Sequence, residues 1–397
     1  MNSGARTNLV LATAAFALMF WAWNLIGPLA PAYSELLDLS PTRASVLIAF
    51  PVLIGAVGRI PVGALTDRYG GRVMMAAVSF VSVPPVLCLG FVGDSYPMLL
   101  VLGFFLGIAG TSFAVGVPFV NAWHAPERRG FATGVFGVGM GGTALSAFLT
   151  PYLADSLGLV WTHVLMAVAL ALMGVLVLAV CRNPPEWRPS TASLLPRMRE
   201  ALGLRATWQN ILLYAVAFGG FVAFATYMPT LLTTTYGFAQ TEAGVRTAGF
   251  ALVAVVARPV GGALSDRIGP VRVCLISFVG TTLMAGALVF EPPTELPAGT
   301  VFVLMAGFLG LGTGGVFALV AQLVEQSRVG TVTGLVGAAG GLGGYFPQLV
   351  MGAVHQTTNT YTLGFVLLTV VALGAAVYTA VAFRGRKDAV PMARGTV

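Results

Sequence analysis

GRIPVGALTDRYG, residues 58–70, and ARPVGGALSDRIG, residues 257–269, each place one arginine inside a long apolar run that ends on a polar turn. The interval from Arg59 to Asp67 is eight residues, and so is that from Arg258 to Asp266. At about 1.5 Å of rise per helical residue, each arginine sits roughly 12 Å inside the polar end of its run. In a hydrocarbon core about 30 Å thick that depth is close to the midplane. Insertion scales put an arginine there at about 2.5–3.5 kcal/mol. A chain that carries two such sites, placed alike in its two halves, is expected to use them as a pair of anion clamps facing one central cavity.

Composition sets the class. Of 397 residues, 57% are hydrophobic and only 9% charged, with a mean hydropathy of +0.88. Soluble domains carry about a quarter charged residues, so a polytopic membrane protein is expected. The 50 glycines suit a helical bundle whose helices approach closely. The first apolar run, Leu9 to Pro31, is too long for a signal peptide and lacks a small-residue cleavage site. Cys88, Cys181 and Cys274 lie in separate apolar runs without ligand-like spacing, so neither a metal site nor a disulfide is expected.

The formal charge of +7 would suit nucleic acid, but its distribution excludes that reading. Twenty of the 21 basic residues are arginine, and most fall in alternate loops (Arg68 and Arg72, Arg128 and Arg129, Arg182 to Arg205, Arg267 and Arg272, Arg328, Arg384 to Arg394). The intervening loops are acidic or neutral apart from Arg43 and Arg246. Such alternation is the positive-inside pattern, and it places both termini in the cytoplasm of a protein spanning the cytoplasmic membrane.

Apolar runs of spanning length fall at about 9–31, 45–65, 73–92, 98–121, 130–153, 160–181, 211–234, 244–264, 271–290, 300–324, 330–354 and 362–383. Twelve spans agree with both ends lying on one side. The proline-rich, basic stretch 182–209 reads as a cytoplasmic linker between two six-helix bundles, 1–181 and 210–397, the second with a short cytoplasmic tail. Internal repeats support the division. Arg59 superposes on Arg258 at an offset of 199 residues. RRGFATGVFGVGMGG matches RVGTVTGLVGAAGG at an offset of 200, and GFFLGIAGTSFA sits more weakly beside GFLGLGTGGVFA. Parallel repeats of six spans imply a pseudo-two-fold axis along the membrane normal, with a site between the halves.

On these residues the chain resembles the major facilitator superfamily over its whole length. The DRYGGR and DRIGPVR loops after spans 2 and 8 look like that superfamily's loop signature. The resemblance implies an all-α fold of twelve transmembrane helices in two pseudo-symmetric bundles that rock about a central site. Asp67, Arg68, Asp266 and Arg267 are then gating candidates, together with the glycines of spans 5 and 11, Gly137, Gly141, Gly337 and Gly341. These glycines also have the GxxxG spacing of close helix packing. The GxGxxG pattern in GVGMGG and GLGTGG is not a dinucleotide motif, because no strand precedes it.

All fourteen carboxylates (Glu35, Asp38, Asp67, Asp94, Glu127, Asp155, Glu186, Glu200, Glu242, Asp266, Glu291, Glu295, Glu325 and Asp388) lie in loops or near span ends. With no acid at mid-span, the partner of the two arginines is expected to be an anion. A planar, forked guanidinium suits small planar oxyanions. The pattern further resembles the nitrate/nitrite porter branch. That resemblance implies that Arg59 and Arg258 clamp nitrate or nitrite, that Tyr214 donates to it, and that Phe113 and Phe218 wall it, beside Gly110, Gly139 and Gly340. Where the branch usually has an asparagine in span 5, this chain has Met140, which leaves anion selectivity open. Phe16, Phe20, Trp23 and Phe136 are further cavity candidates. His124, His163 and His355 lie at span ends and suit interface roles better than a proton relay.

The chain is therefore expected to be a monomeric nitrate/nitrite transporter in the lipid bilayer, not an enzyme, with no metal or cofactor, working by anion exchange. A carrier of another small anion (carboxylate or phosphate ester) is the first alternative. A proton-driven exporter is disfavoured by the missing mid-span carboxylate, and a transporter-shaped sensor stays open.

Overall fold

The computed structural model describes residues 3–384 except 94, 125–128, 185–186, 190–193, 294–295 and 326–327. Among the described residues every regular element is helical. Ten segments are long and apolar enough to cross a membrane. In chain order, span 1 is Gly4–Leu37, span 2 Pro41–Tyr69, span 3 Gly71–Val92 and span 4 Tyr96–Ala122. Spans 5 and 6 share the 49-residue segment Ala132–Val180 and part at Gly158, whose φ of 81° no helix residue adopts. Span 7 is Arg205–Tyr236, span 8 Gln240–Ile268, span 9 Pro270–Leu288 and span 10 Leu296–Leu323. The glycine-rich helix Val329–Thr358 is span 11 and Thr362–Ala382 span 12. Counted by position these are the twelve expected helices, in two six-helix bundles. Most run past the apolar stretch that announced them, because a helix continues into the interface until a turn residue stops it. Span 7, for example, already begins at Arg205.

The two DR loops stop their helices in the same way. Gly70 and Gly269 have φ of 84° and 92°, a backbone that a side chain would strain, and each donates its N–H back into the preceding helix. Arg72, just beyond the first of them, donates from its guanidinium to the Leu178 carbonyl and from its backbone to Asn183 Oδ1 at 3.1 Å, tying span 3 to the end of span 6. Asp67 is half-buried, while Arg68, Asp266 and Arg267 are exposed at this end of the molecule. A short helix in the central linker, Leu194–Leu202, lies here too, with Glu200 paired to Arg328 at 2.6 Å.

The repeats are not identical in backbone. Span 2 breaks at Gly58 and restarts at Arg59, two residues before Pro61, whose ring cannot follow the preceding turn. Span 8 runs unbroken through Arg258 and Pro259. Tighter 3₁₀ turns occupy Gly107–Thr111 in span 4 and Val138–Gly141 in span 5, whereas the corresponding parts of spans 10 and 11 stay α-helical.

The halves are sealed at the end opposite the DR loops and parted at the DR end. Small residues make the seal. A Cβ on Gly352 would strike the Ser45 side chain, one on Gly244 the Ala147 carbonyl, and one on Gly27 the Thr226 carbonyl at 2.6 Å. Gln240 adds a hydrogen bond to the Pro28 carbonyl at 2.7 Å. On the DR side of the arginines, a Cβ on Gly134, Gly137 or Gly141 of span 5, or on Gly334 of span 11, would meet no described atom within 4 Å. Close packing, which the GxxxG spacing predicts at Gly137 and Gly141, is thus not what these residues do in this conformation. Their neighbours Gly139 and Gly142 carry the contact instead, pressed against Phe16 and the Ala17 backbone of span 1.

This division of labour is testable. Gly142→Ala would push a methyl into main chain that cannot rotate away, so it should lower stability by about 1–3 kcal/mol. Gly134→Ala should be nearly neutral. Thermal unfolding in detergent reads both, and equal melting points would show that span 5 does not depend on that contact.

Candidate functional site

Halfway along the molecule, where the seal gives way to open space, the side chains of Arg59 and Arg258 converge on one aromatic ring. Their guanidinium carbons lie 5.4 and 5.8 Å from the centre of Phe113. Each also faces a second ring, Arg59 that of Phe218 at 5.6 Å and Arg258 that of Phe317 at 5.3 Å. Aromatic faces carry negative quadrupole charge, and each such contact is worth about 0.5–2 kcal/mol when desolvated. Phe113 comes from span 4 and Phe218 from span 7, so each arginine is flanked by the other bundle as well as its own.

The two arginines are not equivalent. Arg59 is buried, 5% exposed, and donates from Nη1 to the Gly337 carbonyl at 2.5 Å and from Nε to the Gly110 carbonyl at 3.4 Å. The first of these bonds crosses from span 2 to span 11. Arg258 is half-buried. Its Nη2 lies 3.4 Å from the Tyr214 hydroxyl, and its Nη1 rests on the Met140 sulfur. Among the described residues no carboxylate lies within ion-pairing distance of either arginine. Asp94, Glu127, Glu186, Glu295 and Asp388 lie outside the described residues.

Glycine makes room for this arrangement. Tyr214 and Phe218, one turn apart on span 7, stack with centroids 5.0 Å apart and planes at 5°. A Cβ on Gly340 would overlap the Tyr214 ring and come within 3.0 Å of Phe218, so only glycine lets span 11 lie against that stack. A Cβ on Gly110 would meet the Trp23 indole at 2.8 Å. At Gly337 it would sit 3.9 Å from Arg59 Nη1, an ordinary contact, and the Gly337 carbonyl accepts from that guanidinium. Gly341 packs on Ala56 of span 2, with 2.6 Å between its ideal Cβ and the alanine's. The structure therefore brings together Arg59, Arg258, Phe113, Tyr214, Phe218, Met140, Gly110, Gly337 and Gly340, and sets Gly139 on the span 1 wall. Asp67, Arg68, Asp266 and Arg267 stand apart at the DR end.

Phe16, Phe20, Trp23 and Phe136 find a place as well. Phe16 stacks on Phe136 at 4.5 Å and 15°, and Phe113 lies 5.9 Å from Phe16. Trp23 donates to the Pro51 carbonyl at 2.9 Å, closing the layer towards the seal. Sequence reasoning missed Phe317, which lies 4.7 Å from Tyr214 and against Arg258. Its signal was the weakest repeat, which superposes Phe317 on Phe113. The histidines stay away from the arginines. His163 is bonded to the Tyr33 hydroxyl at 3.2 Å and the Leu159 carbonyl at 2.7 Å, His355 stacks on Tyr361, and His124 caps the Val120 carbonyl at 2.7 Å.

Twelve spans in two halves, with a charged site buried between them, define a membrane transporter. Comparison with known proteins agrees: the profile described as Major Facilitator Superfamily matches residues 12–347 and 212–395. The chain belongs to the major facilitator superfamily, and within it to the nitrate/nitrite porter family. It is 54% identical over 380 residues to the probable nitrate/nitrite transporter NarK2 of Mycobacterium tuberculosis, covering 95% of this chain and 96% of that protein. It is 34% identical to the nitrite extrusion protein of Bacillus subtilis (90% and 89% covered) and 34% identical to the probable nitrate/nitrite antiporter NarK1 of Thermus thermophilus (92% and 89% covered). These relatives are named as transporters, not enzymes. Among solved structures, a bacterial homologue of the human lysosomal transporter Spinster shares the fold with a TM-score of 0.77 at 20% identity, covering 97% of this chain and 98% of that one. A D-xylose–proton symporter shares it with a TM-score of 0.74 at 16% identity, covering 95% and 97%.

Proposed function

We propose that this chain carries nitrate and nitrite across the cytoplasmic membrane by alternating access, with residues 1–181 and 210–397 rocking as two domains joined by the linker 182–209. The observation that carries the reading is the convergence of two guanidinium groups, one from each domain, on a single phenylalanine ring, with no carboxylate beside them among the described residues. A planar anion stacked on Phe113 would accept hydrogen bonds from Arg59 and Arg258 at once, while the Tyr214 hydroxyl donates to a remaining lone pair. Phe218 and Phe317 close the sides and exclude water, which strengthens each charge-assisted bond. The relatives named for nitrate and nitrite support this class of substrate over carboxylates or phosphate esters. Both termini then face the cytoplasm with the DR loops, and the conformation described here opens inward.

Exchange is the proposed mode. Arg59 donates to the Gly337 carbonyl across the domain boundary, so two positive charges share the boundary with only neutral partners among the described residues. Closing the DR side would press them together in a low-dielectric space, where like charges are poorly screened. A bound monovalent anion lowers that charge by one and bridges the domains, which favours reorientation of the loaded carrier.

Three outcomes follow for purified protein. Arg59→Lys and Arg258→Lys keep the charge but lose the planar fork, so nitrate binding measured by calorimetry should fall by at least about tenfold in each; wild-type affinity in both would remove these residues from the site. Met140→Asn would set an amide donor where the thioether lies under Arg258 and should tighten nitrate binding by about 1 kcal/mol, roughly fivefold. Unchanged or weaker binding would mean that this position does not face the anion. Labelled nitrate should enter nitrite-loaded liposomes far faster than empty ones, and an imposed proton gradient alone should add little. Uncoupler-sensitive accumulation in empty liposomes would overturn exchange.

A further inference from the structure

Arg246 is one of the two arginines that break the charge alternation of the loops, and the clamp does not use it. It stands twenty residues from Asp266 on the unbroken span 8, about 30 Å along the helix axis, which is the thickness of a hydrocarbon core. The DR loop marks one face of that core, so Arg246 marks the other, at the depth where lipid phosphates begin. Its guanidinium lies over the Phe238 ring, 3.9 Å from the centroid, and its Nη1 donates to the Glu242 carbonyl one turn back at 3.4 Å. Beneath it is a slot of about 280 Å³ between spans 7, 8 and 10.

The slot follows the helices. Span 7 lines it with Met228, Leu232 and Tyr236, each about one turn from the next, so this wall runs for about 12 Å along the membrane normal. Phe250 of span 8 and Phe302 of span 10, both buried, line it as well. Phe250 is parallel to Phe221 at 6.4 Å, and Phe221 lies 6.0 Å from Phe218, so the slot backs onto the aromatic wall of the clamp. Two glycines hold it open: Gly249 and Gly299 are exposed, and a Cβ on either would meet no described atom within 4 Å. The slot opens away from the other domain. Gly244, which meets Ala147 of span 5, stands five residues before Gly249 and so about 140° round the helix. Leu252 and Val256, three and seven residues beyond Gly249, are exposed too, and an exposed apolar row on a spanning helix faces lipid.

We propose that this slot binds one phospholipid of the leaflet opposite the DR loops, with an acyl chain between spans 7, 8 and 10 and the phosphate on Arg246. The chemistry of its two ends selects that occupant. The deeper part is apolar and aromatic and runs along the membrane normal, as an acyl chain does. The upper end is a guanidinium, whose planar fork pairs with two oxygens of a phosphodiester. With five N–H donors it can hold the Glu242 carbonyl and a phosphate together. Tyr236 and Phe238 flank it, as aromatic residues do at the head-group level of membrane proteins. A neutral diacylglycerol would fit the slot without engaging the fork. The site does not depend on which anion the clamp carries.

The test takes purified protein with its own lipid exchanged for detergent, dioleoylphosphatidylglycerol as the probe and dioleoylglycerol as the phosphate-free control. Native mass spectrometry reads the affinity of the first bound lipid, and thermal unfolding checks the fold. Gly249→Leu fills the slot from a position where a Cβ meets open space. It should weaken the first phospholipid at least about tenfold while melting as wild type does without lipid. Arg246→Gln keeps the reach and loses the charge, so it should weaken the phospholipid about tenfold and leave dioleoylglycerol within about twofold. Gly374→Leu, at an exposed glycine of span 12 with open space beside it, lies outside the slot and should bind as wild type does. Wild-type affinity in Gly249→Leu or in Arg246→Gln, an equal loss in Gly374→Leu, or dioleoylglycerol held as tightly as the phospholipid by wild type would overturn the assignment. None of these measurements contains nitrate, so their failure leaves the reading of the clamp standing.

Discussion

Two positive charges in the middle of a bilayer-spanning protein, with no carboxylate within reach among the described residues, constrain everything around them. Arg59 is buried and Arg258 half-buried, so neither guanidinium is fully hydrated. The protein meets the constraint with partial charges instead. Carbonyls of Gly110 and Gly337 face Arg59, the Tyr214 hydroxyl and the Met140 sulfur face Arg258, and three phenylalanine rings present their faces. Such partners make the charges tolerable without cancelling them. A buried ion pair would have cancelled them.

The helices are shaped to supply those partners. Carbonyls of spans 4 and 11 reach Arg59, and at Gly110 a side chain would strike the Trp23 indole. The 3₁₀ turn at Gly107–Thr111 and the restart of span 2 at Arg59 set the first arginine deep between the domains. On the other side an unbroken span 8 leaves Arg258 half-buried beside open space. The repeat thus gives two arginines of one origin two different environments, one fixed by backbone and one by movable side chains.

The same small residues govern how the domains meet. At the sealed end, Gly27, Gly244 and Gly352 let backbones of opposite domains touch, and on the DR side Gly134, Gly141 and Gly334 face space. Backbone contacts at these glycines leave little side-chain interlocking to undo, although Ser45 and Gln240 also belong to the seam.

Much of this was legible in the sequence. Helix number, the pairing of the halves, the depth of both arginines and the absence of mid-span acids follow from hydropathy, from eight-residue intervals and from repeat offsets, because a bilayer fixes helix length and makes buried charge rare. The family resemblance added Tyr214, Phe113 and Phe218. The third repeat aligns Phe317 with Phe113. Three things could not be read along the chain. Which glycines pack and which face open space depends on helix rotation: Gly139 and Gly142 touch span 1 where GxxxG spacing favoured Gly137 and Gly141. The inequality of the two arginines depends on carbonyls 51 and 278 residues away from Arg59. Asn24 and Gln348 are ordinary amides in sequence, and only the fold buries them where spans 1, 7 and 11 cross. Composition and spacing determined what must be buried, because those are local properties of each helix against lipid; tertiary structure alone decided what is buried against what, because that is set by how helices distant in the chain turn towards one another.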